Sequence, residues 1–161
     1  MNLRKLTPTD APYMLEWMHD PDVVGHLSTN FAEKSLDDCL RFIAYAENTR
    51  DDLHLAIVDD TDTYMGTVSL KHIHNGTAEF AITVRKCAMG KGYSHFGMQS
   101  VLEIGKRELG LTGIYWCVSI YNQRAVRFYD KNGYTRTENI PQSIMEAYSQ
   151  ELLPDLIWYI Y

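Results

Sequence analysis

Asn122-Gln123-Arg124-Ala125-Val126-Arg127-Phe128-Tyr129-Asp130-Lys131-Asn132-Gly133-Tyr134 is the stretch from which the rest of the chain falls into order. Asn122 offers a side-chain oxygen that can cap a helix N-terminus, and Gly133 stands where a left-handed residue closes one. Between them Ala125, Val126 and Tyr129 share a helical face, so a helix over residues 122–132 is predicted. Just upstream, residues 114–119 read as a strand. Before that strand, Met89-Gly90-Lys91-Gly92 opens a long helix whose Met98, Val101, Leu102, Gly105 and Leu109 fall on one side, with Gly110 placed to end it. A strand, a Gly-rich turn, a helix and a further strand make a parallel crossover unit.

Working outward, Leu53, Leu55 and Ile57 alternate as in a strand, and strand character resumes over residues 64–73. Asn75-Gly76 is a hairpin signal, because both central residues of a type I′ turn need positive φ, and residues 77–84 form the returning strand. These three strands predict an antiparallel meander. At the start of the chain, residues 2–6 read as a strand, and Thr7-Pro8-Thr9-Asp10 reads as the beginning of a helix carrying Ala11, Met14, Leu15 and Met18. Ser35 with Asp38 starts another helix over residues 35–48, with Leu36, Cys39, Leu40 and Ile43 as its apolar stripe. Beyond the motif, residues 134–137 and 156–161 read as strands joined by residues 140–155 with a helical turn. No repeat or linker divides the chain, so residues 1–161 are expected to form a single domain of α/β (α+β) class.

The formal net charge of −6 argues against a general nucleic-acid binder, which usually presents a basic face to phosphate. Cys39, Cys87 and Cys117 are widely spaced and suggest neither a metal site nor a disulfide framework. No run approaches the length needed to span a bilayer and no signal-peptide core is present, so a cytoplasmic protein without membrane partners is expected. Trp158, Tyr159 and Tyr161 are candidates to cover a sheet edge or a dimer contact, and the chain is expected to be a monomer or a homodimer.

The Gly-rich turn is not a Walker A loop, since the required Gly-Lys-Ser/Thr ending is missing. Nor is it a dinucleotide fingerprint, since His95 occupies the place of the third glycine and no acidic residue ends the next strand near Ser119. Two glycines at a helix N-terminus do let unpaired amides converge on an anion such as a pyrophosphate. By itself the turn reads equally well as an ordinary strand-to-helix connection.

The stretch from Asn122 to Tyr134 resembles the GNAT acetyltransferase pattern Asn-x-x-Ala-x-x-Phe/Leu-Tyr-x-x-x-Gly-Phe/Tyr at every fixed position, and it lies one strand after the Gly-rich turn, as in that family. The opening Leu3-Arg4-x-Leu6, Asp10-Ala11 and Glu16-Trp17 is similar to the branch that includes ribosomal-protein, polyamine and amino-sugar acetyltransferases. The resemblance implies a mixed, mostly antiparallel sheet of about six to seven strands with a splayed parallel pair and flanking helices. It also implies acetyl-coenzyme A as cosubstrate, no metal, and a small-molecule or peptide amine as acceptor. Ile82, Thr83 and Val84 are then expected to pair with the pantetheine arm. The amides of Met89, Gly90, Lys91, Gly92, Tyr93 and Ser94 would hold the pyrophosphate, with Asn122 and Ala125 also at the cofactor. Cys87 departs from the family, which often has Arg or Gln there.

Tyr129 takes the family role of general acid toward the leaving thiolate, a role its helical face does not distinguish from that of a core tyrosine. A base must take a proton from the amine, and Glu79, on the strand leading to the gap, is the candidate ahead of His72, His74 and His54. An acetyl-cysteine route through Cys87 or Cys117 lacks a visible base partner. Specificity is expected from residues 20–30 and 140–155, where Asp22, Glu146 and Glu151 stand, with Glu138 just before the second segment. The alternatives are a catalytically silent acetyl-coenzyme A sensor or scaffold of the same fold and, outside the family, a nucleotide-binding α/β domain.

Overall fold

Asn75 and Gly76 both have positive φ, 48° and 76°, and the hairpin they make joins β3 (Tyr64–His74) to β4 (Thr77–Val84). With β2 (Leu53–Val58) on the far side of β3, this is the antiparallel meander read from the alternating apolar residues. β1 (Asn2–Lys5) extends it, and β5 (Gly113–Ser119), β6 (Thr135–Arg136) and β7 (Leu156–Ile160) complete one seven-stranded sheet in the order β1-β2-β3-β4-β5-β7-β6. Among the described residues only β4 and β5 pair in parallel. The computed structural model describes residues 1–27 and 29–161; Ser28, in the segment expected to shape specificity, lies outside them.

One face of the sheet carries α4 (Tyr93–Arg107) and α5 (Gln123–Lys131). α4 lies tight on the strands because Gly97 and Gly105 have no side chain: a Cβ would stand 2.4 Å from Ile57 Cδ1 at the first and 2.7 Å from Ile114 Cδ1 at the second. Met98, Val101 and Leu102 then reach Val68, Leu70 and Phe80 in the larger core. Leu109, expected on this face, is 44% exposed. The helix has ended, the chain turns at Gly110 (φ 64°), and Leu111, whose amide donates to the Gly105 carbonyl at 2.9 Å, enters the core in its place.

The other face carries α1 (Ala11–Met18), the single turn α2 (Pro21–Val24) and α3 (Leu36–Asn48) over a second core of Met14, Trp17, Met18, Cys39, Ile43 and Tyr64. Asp10 ties α1 to β1: it accepts from the Thr7 amide at 2.9 Å and from both Arg4 guanidinium nitrogens at 2.8 and 2.9 Å. Ser35 and Asp38 form the expected reciprocal cap. The buried stripe of α3 is shifted from the expected one, however. Leu36 and Leu40 are exposed, and Phe42 and Ala46 join Cys39 and Ile43.

Residues 140–155 contain α6 (Gln142–Met145), whose Ile144 is fully buried. Trp158 and Tyr159 are also buried inside the chain, since β7 lies between β5 and β6 rather than at an edge; only Tyr161 is exposed. None of the described helices is long and apolar enough to cross a membrane.

Candidate active site

β4 and β5 are paired only at Thr77–Gly113, Ala78–Ile114 and Glu79–Tyr115, and no pairing continues beyond. β5 runs on to Ser119 against β7, while residues 80–84 of β4 stay with β3, so a gap opens between the parallel strands. Ile82, Thr83 and Val84 pair with Val68, Thr67 and Gly66 on one side and leave their other backbone edge toward this gap. Gly66 allows the close approach here, since a Cβ on it would meet Thr83 O at 2.5 Å.

At the wide end of the gap, a 3-10 turn over Lys86–Ala88 exposes Cys87 and leads into the Gly-rich turn. Gly90 and Gly92 have φ of 73° and 89°. The Met89 and Lys91 amides are engaged within the turn, donating to Lys86 O at 3.2 Å and Ala88 O at 3.3 Å. The first amide to bond within the helix is Phe96, to Gly92 O at 3.0 Å, so Tyr93, Ser94 and His95 are the first-turn donors without an intrahelical partner. The Gly90 and Gly92 amides likewise make no backbone hydrogen bond among the described residues, so the free donors comprise residues 90, 92, 93 and 94 of the expected set together with His95. Arg85 anchors this end of β4 to α1 through paired bonds to Glu16 at 3.0 and 2.9 Å.

The Asn122 motif meets the same turn from the other side. Asn122 Oδ1 accepts from the Ala125 amide at 3.3 Å and caps α5, Arg124 Nη1 lies 3.9 Å from Met89 Sδ, and the Phe128 and His95 rings stand edge to face at 6.3 Å. Tyr129 sits among Trp116, Tyr134 and Tyr159, with ring centroids 5.5, 6.2 and 5.0 Å away. Burial raises its phenol above the ordinary value, and Tyr159, Tyr134 and Cys117 add to the effect, so it holds its proton firmly. Its hydroxyl makes no hydrogen bond among the described residues.

Glu79 is buried at the closed end of the gap. The Tyr148 hydroxyl donates to Oε1, while Oε2 takes no hydrogen bond from any described residue and has His72 Nε2 at 3.5 Å and Lys71 Nζ at 3.8 Å. Burial, then Cys117 and Glu79, raise the Tyr148 phenol, which keeps it a donor. Burial also pushes the Cys117 thiol up to about 11, so it is no thiolate nucleophile at neutral pH. His74 is exposed beside the hairpin, 3.0 Å from Asn75. His54 is buried, with Nδ1 2.7 Å from Ser69 Oγ and Nε2 3.5 Å from Asp52; burial lowers its pKa despite the carboxylate.

On the α1 and α3 side of the sheet, next to Ala81, Ile82 and Thr83, lies a cavity of about 340 Å³. It reaches from these β4 residues toward Trp17, Phe31 and Phe42. The sequence reading missed Tyr148, Lys71 and this chamber. Tyr148 stands in a segment without periodicity, and the chamber's walls come from α1, α3, β2, β3, β4 and the 29–34 stretch, which no local pattern joins.

The profile of the acetyltransferase (GNAT) domain matches residues 1–135. A search of curated protein sequences returned no match. Among solved structures, the chain is similar to spermidine N-acetyltransferase from Vibrio cholerae in complex with CoA and spermine, with TM-score 0.81 and 19% identity over 99% of this chain and 94% of that one. It is also similar to that bacterium's enzyme in a dodecameric intermediate state, with TM-score 0.73 and 20% identity over 99% and 92%. At these identities the likeness establishes the fold. Taken with the domain match over most of its length, it places this chain in the GNAT family of N-acetyltransferases.

Proposed function

We propose that residues 1–161 act as one domain that transfers the acetyl group of acetyl-coenzyme A to a primary amine by direct attack in a ternary complex. The observation that carries this reading is convergence: the unpaired backbone edge of residues 82–84, the free amides of Tyr93, Ser94 and His95, and Tyr129 all border the gap between β4 and β5. An extended pantetheine arm pairs with that edge as a surrogate strand. The pyrophosphate sits at the α4 N-terminus, where the amides and the helix dipole favour an anion. Asn122 Oδ1 is committed to the cap, so its amide nitrogen is the part left for the cofactor. CoA bound to the spermidine N-acetyltransferase of Vibrio cholerae supports the choice of cosubstrate.

In the reaction, the amine nitrogen bonds to the acetyl carbon, the carbon–sulfur bond breaks and the amine's proton leaves. An amide near Val84 polarises the carbonyl. Tyr129, kept protonated by burial, gives its proton to the departing thiolate. Glu79, whose Oε2 is unpartnered by protein, takes the proton from the amine directly or through water. Attack by the amine rather than through an acetyl-cysteine is supported by the raised Cys117 thiol.

The test is thiol release from acetyl-coenzyme A with a panel of amines, run beside Tyr129→Phe. The variant should lose about 10²- to 10⁴-fold in kcat while binding acetyl-coenzyme A as before. Tight cofactor binding with no turnover on a broad panel would move the chain to the sensor or scaffold reading.

A further inference from the structure

The chamber beside residues 81–83 is the place from which an amine can approach the gap, and its chemistry is unlike that of a polycation site. Resting on the acetyl-transfer reading above, we infer that the acceptor is a primary amine carried on an aromatic or branched aliphatic body with no second cationic charge.

The chamber's apolar wall is formed by Met14, Trp17, Met18, Phe31 and Phe42, and Trp17 and Phe31 stand edge to face at 5.1 Å. Trp17 has no polar group to offer, because its Nε1 donates to Tyr64 Oη at 3.0 Å. Toward the strands the lining is mostly small and polar, with Thr67, Ser69, Ala81 and Thr83, joined by His54 and Lys71. Such a lining, with a few polar groups at one end, suits a small amphipathic ligand whose polar head lies at the strands.

Charge decides between classes of amine. Among the described residues, Asp38 is the single carboxylate on the chamber wall, and it is engaged by Arg41 at 2.6 Å and by the Ser35 amide at 2.8 Å. Two lysines, Lys34 and Lys71, line the same chamber. Of the acids nearby, Asp10 is engaged by Arg4, Glu16 by Arg85 and Asp52 by the Tyr45 hydroxyl at 2.6 Å, while Glu79 accepts from Tyr148 at Oε1 and has Lys71 Nζ 3.8 Å from its Oε2. Asp22 is bound to Lys86 at 2.6 Å, and Glu138, Glu146 and Glu151 are exposed and away from the chamber. Glu79 Oε2, the one nearby carboxylate oxygen without a hydrogen bond among the described residues, is given to the reacting amine, so the second and third ammonium groups of a polyamine would enter beside Lys34 and the Lys71–Glu79 pair with no further counterion, a cost that favours their staying in water. Cation–π contact with the aromatic wall returns only about 0.5–2 kcal/mol. A single amine on an apolar body meets neither penalty. The apolar surroundings also favour its neutral form, the one that attacks.

The experiment measures kcat/KM by thiol release for phenethylamine and isoamylamine against spermidine and putrescine, with acetyl-coenzyme A saturating. The apolar amines should lead by about tenfold or more. A spermidine value equal to or above theirs overturns the inference while leaving acetyl transfer intact. If no amine turns over, calorimetric binding of the same amines to the CoA-loaded protein is judged by the same ratio, and thermal stabilisation by acetyl-coenzyme A separately tests the underlying reading. Lys34→Glu, at an exposed rim position, should narrow the deficit of spermidine relative to phenethylamine severalfold. An unchanged ratio in that variant counts against this chamber as the acceptor site.

Discussion

Replacing Gly92 by alanine isolates the contribution of the Gly-rich turn, because the structure separates its conformational cost from any steric one. Gly92 has φ of 89°, and the nearest atom to an added Cβ is Met1 Cε at an ordinary 3.6 Å. The penalty is therefore in the dihedral alone, about 1–2 kcal/mol for an L-residue held in the left-handed region. If the turn keeps its shape, that cost appears as stability, a fall in Tm of about 2–8 °C for a chain of this size. If the turn relaxes toward negative φ, the amides of Tyr93, Ser94 and His95 no longer converge. Loss of one charge-assisted bond to phosphate, about 1.5–3 kcal/mol, then weakens acetyl-coenzyme A binding by about ten- to a hundredfold.

Gly110→Ala supplies the control, since Gly110 has φ of 64°, nothing within 4 Å of an added Cβ, and a place at the far end of α4. Gly110→Ala should lose stability with no change in KM, whereas Gly92→Ala should show its cost as a raised KM for acetyl-coenzyme A to the extent that it does not appear as lost stability. The rise should be absent with acetyl-pantetheine, which has no pyrophosphate. If Gly92→Ala keeps wild-type stability, so that its turn has relaxed, and still binds acetyl-coenzyme A like the wild type, or if acetyl-pantetheine suffers equally, the pyrophosphate is not held by this turn.

Two other perturbations test the polar groups on the α1 side of the sheet. Glu79→Gln keeps an oxygen to accept from Tyr148 but removes the basic charge, so kcat should fall by about 10²- to 10⁴-fold near neutral pH, with the deficit shrinking as pH rises toward the pKa of the free amine; a loss uniform across pH would mean that Glu79 only supports the structure. His54 is depressed by burial in the folded state, so between its unfolded value of about 6.5 and its lower folded value the unfolded chain binds more protons. Its contribution to stability is fully present above that upper value and is lost as pH falls through the folded one, at up to about 1.4 kcal/mol per pH unit. Urea unfolding between pH 8 and about 5 should show this decline in the wild type and a flatter profile in His54→Gln; equal slopes would exclude His54 as the source.

The parts of the fold legible in the sequence were those fixed by local chemistry. Positive φ at Asn75 and Gly76, the reciprocal cap of Ser35 and Asp38, and the Asn122 cap each depend on residues within four positions of one another. Where partners come from across the sheet, local pattern misled. Leu36 keeps helical spacing with Cys39, and Leu40 with Ile43, yet both leucines face water, because the register of α3 is set by what α1 and β2 offer beneath it. Leu109 keeps its spacing with Gly105, but the turn at Gly110 brings Leu111 to the core instead.

The site divides along the same line. The Gly-rich turn and the Asn122 cap, where the cofactor is proposed to bind, are local and could be read from the motifs, whereas the chamber proposed for the acceptor is assembled from six separate stretches and had no signature. A fold that keeps the first constant can vary the second at little cost to stability, because exchanging one apolar side chain for another of similar volume on α1 or α3 disturbs neither the splayed strands nor the amides of α4. Likeness to a spermidine enzyme at about one-fifth identity thus carries the fold across, and leaves the acceptor to be read from this chain's own side chains. Those are two lysines, one engaged carboxylate and an apolar wall.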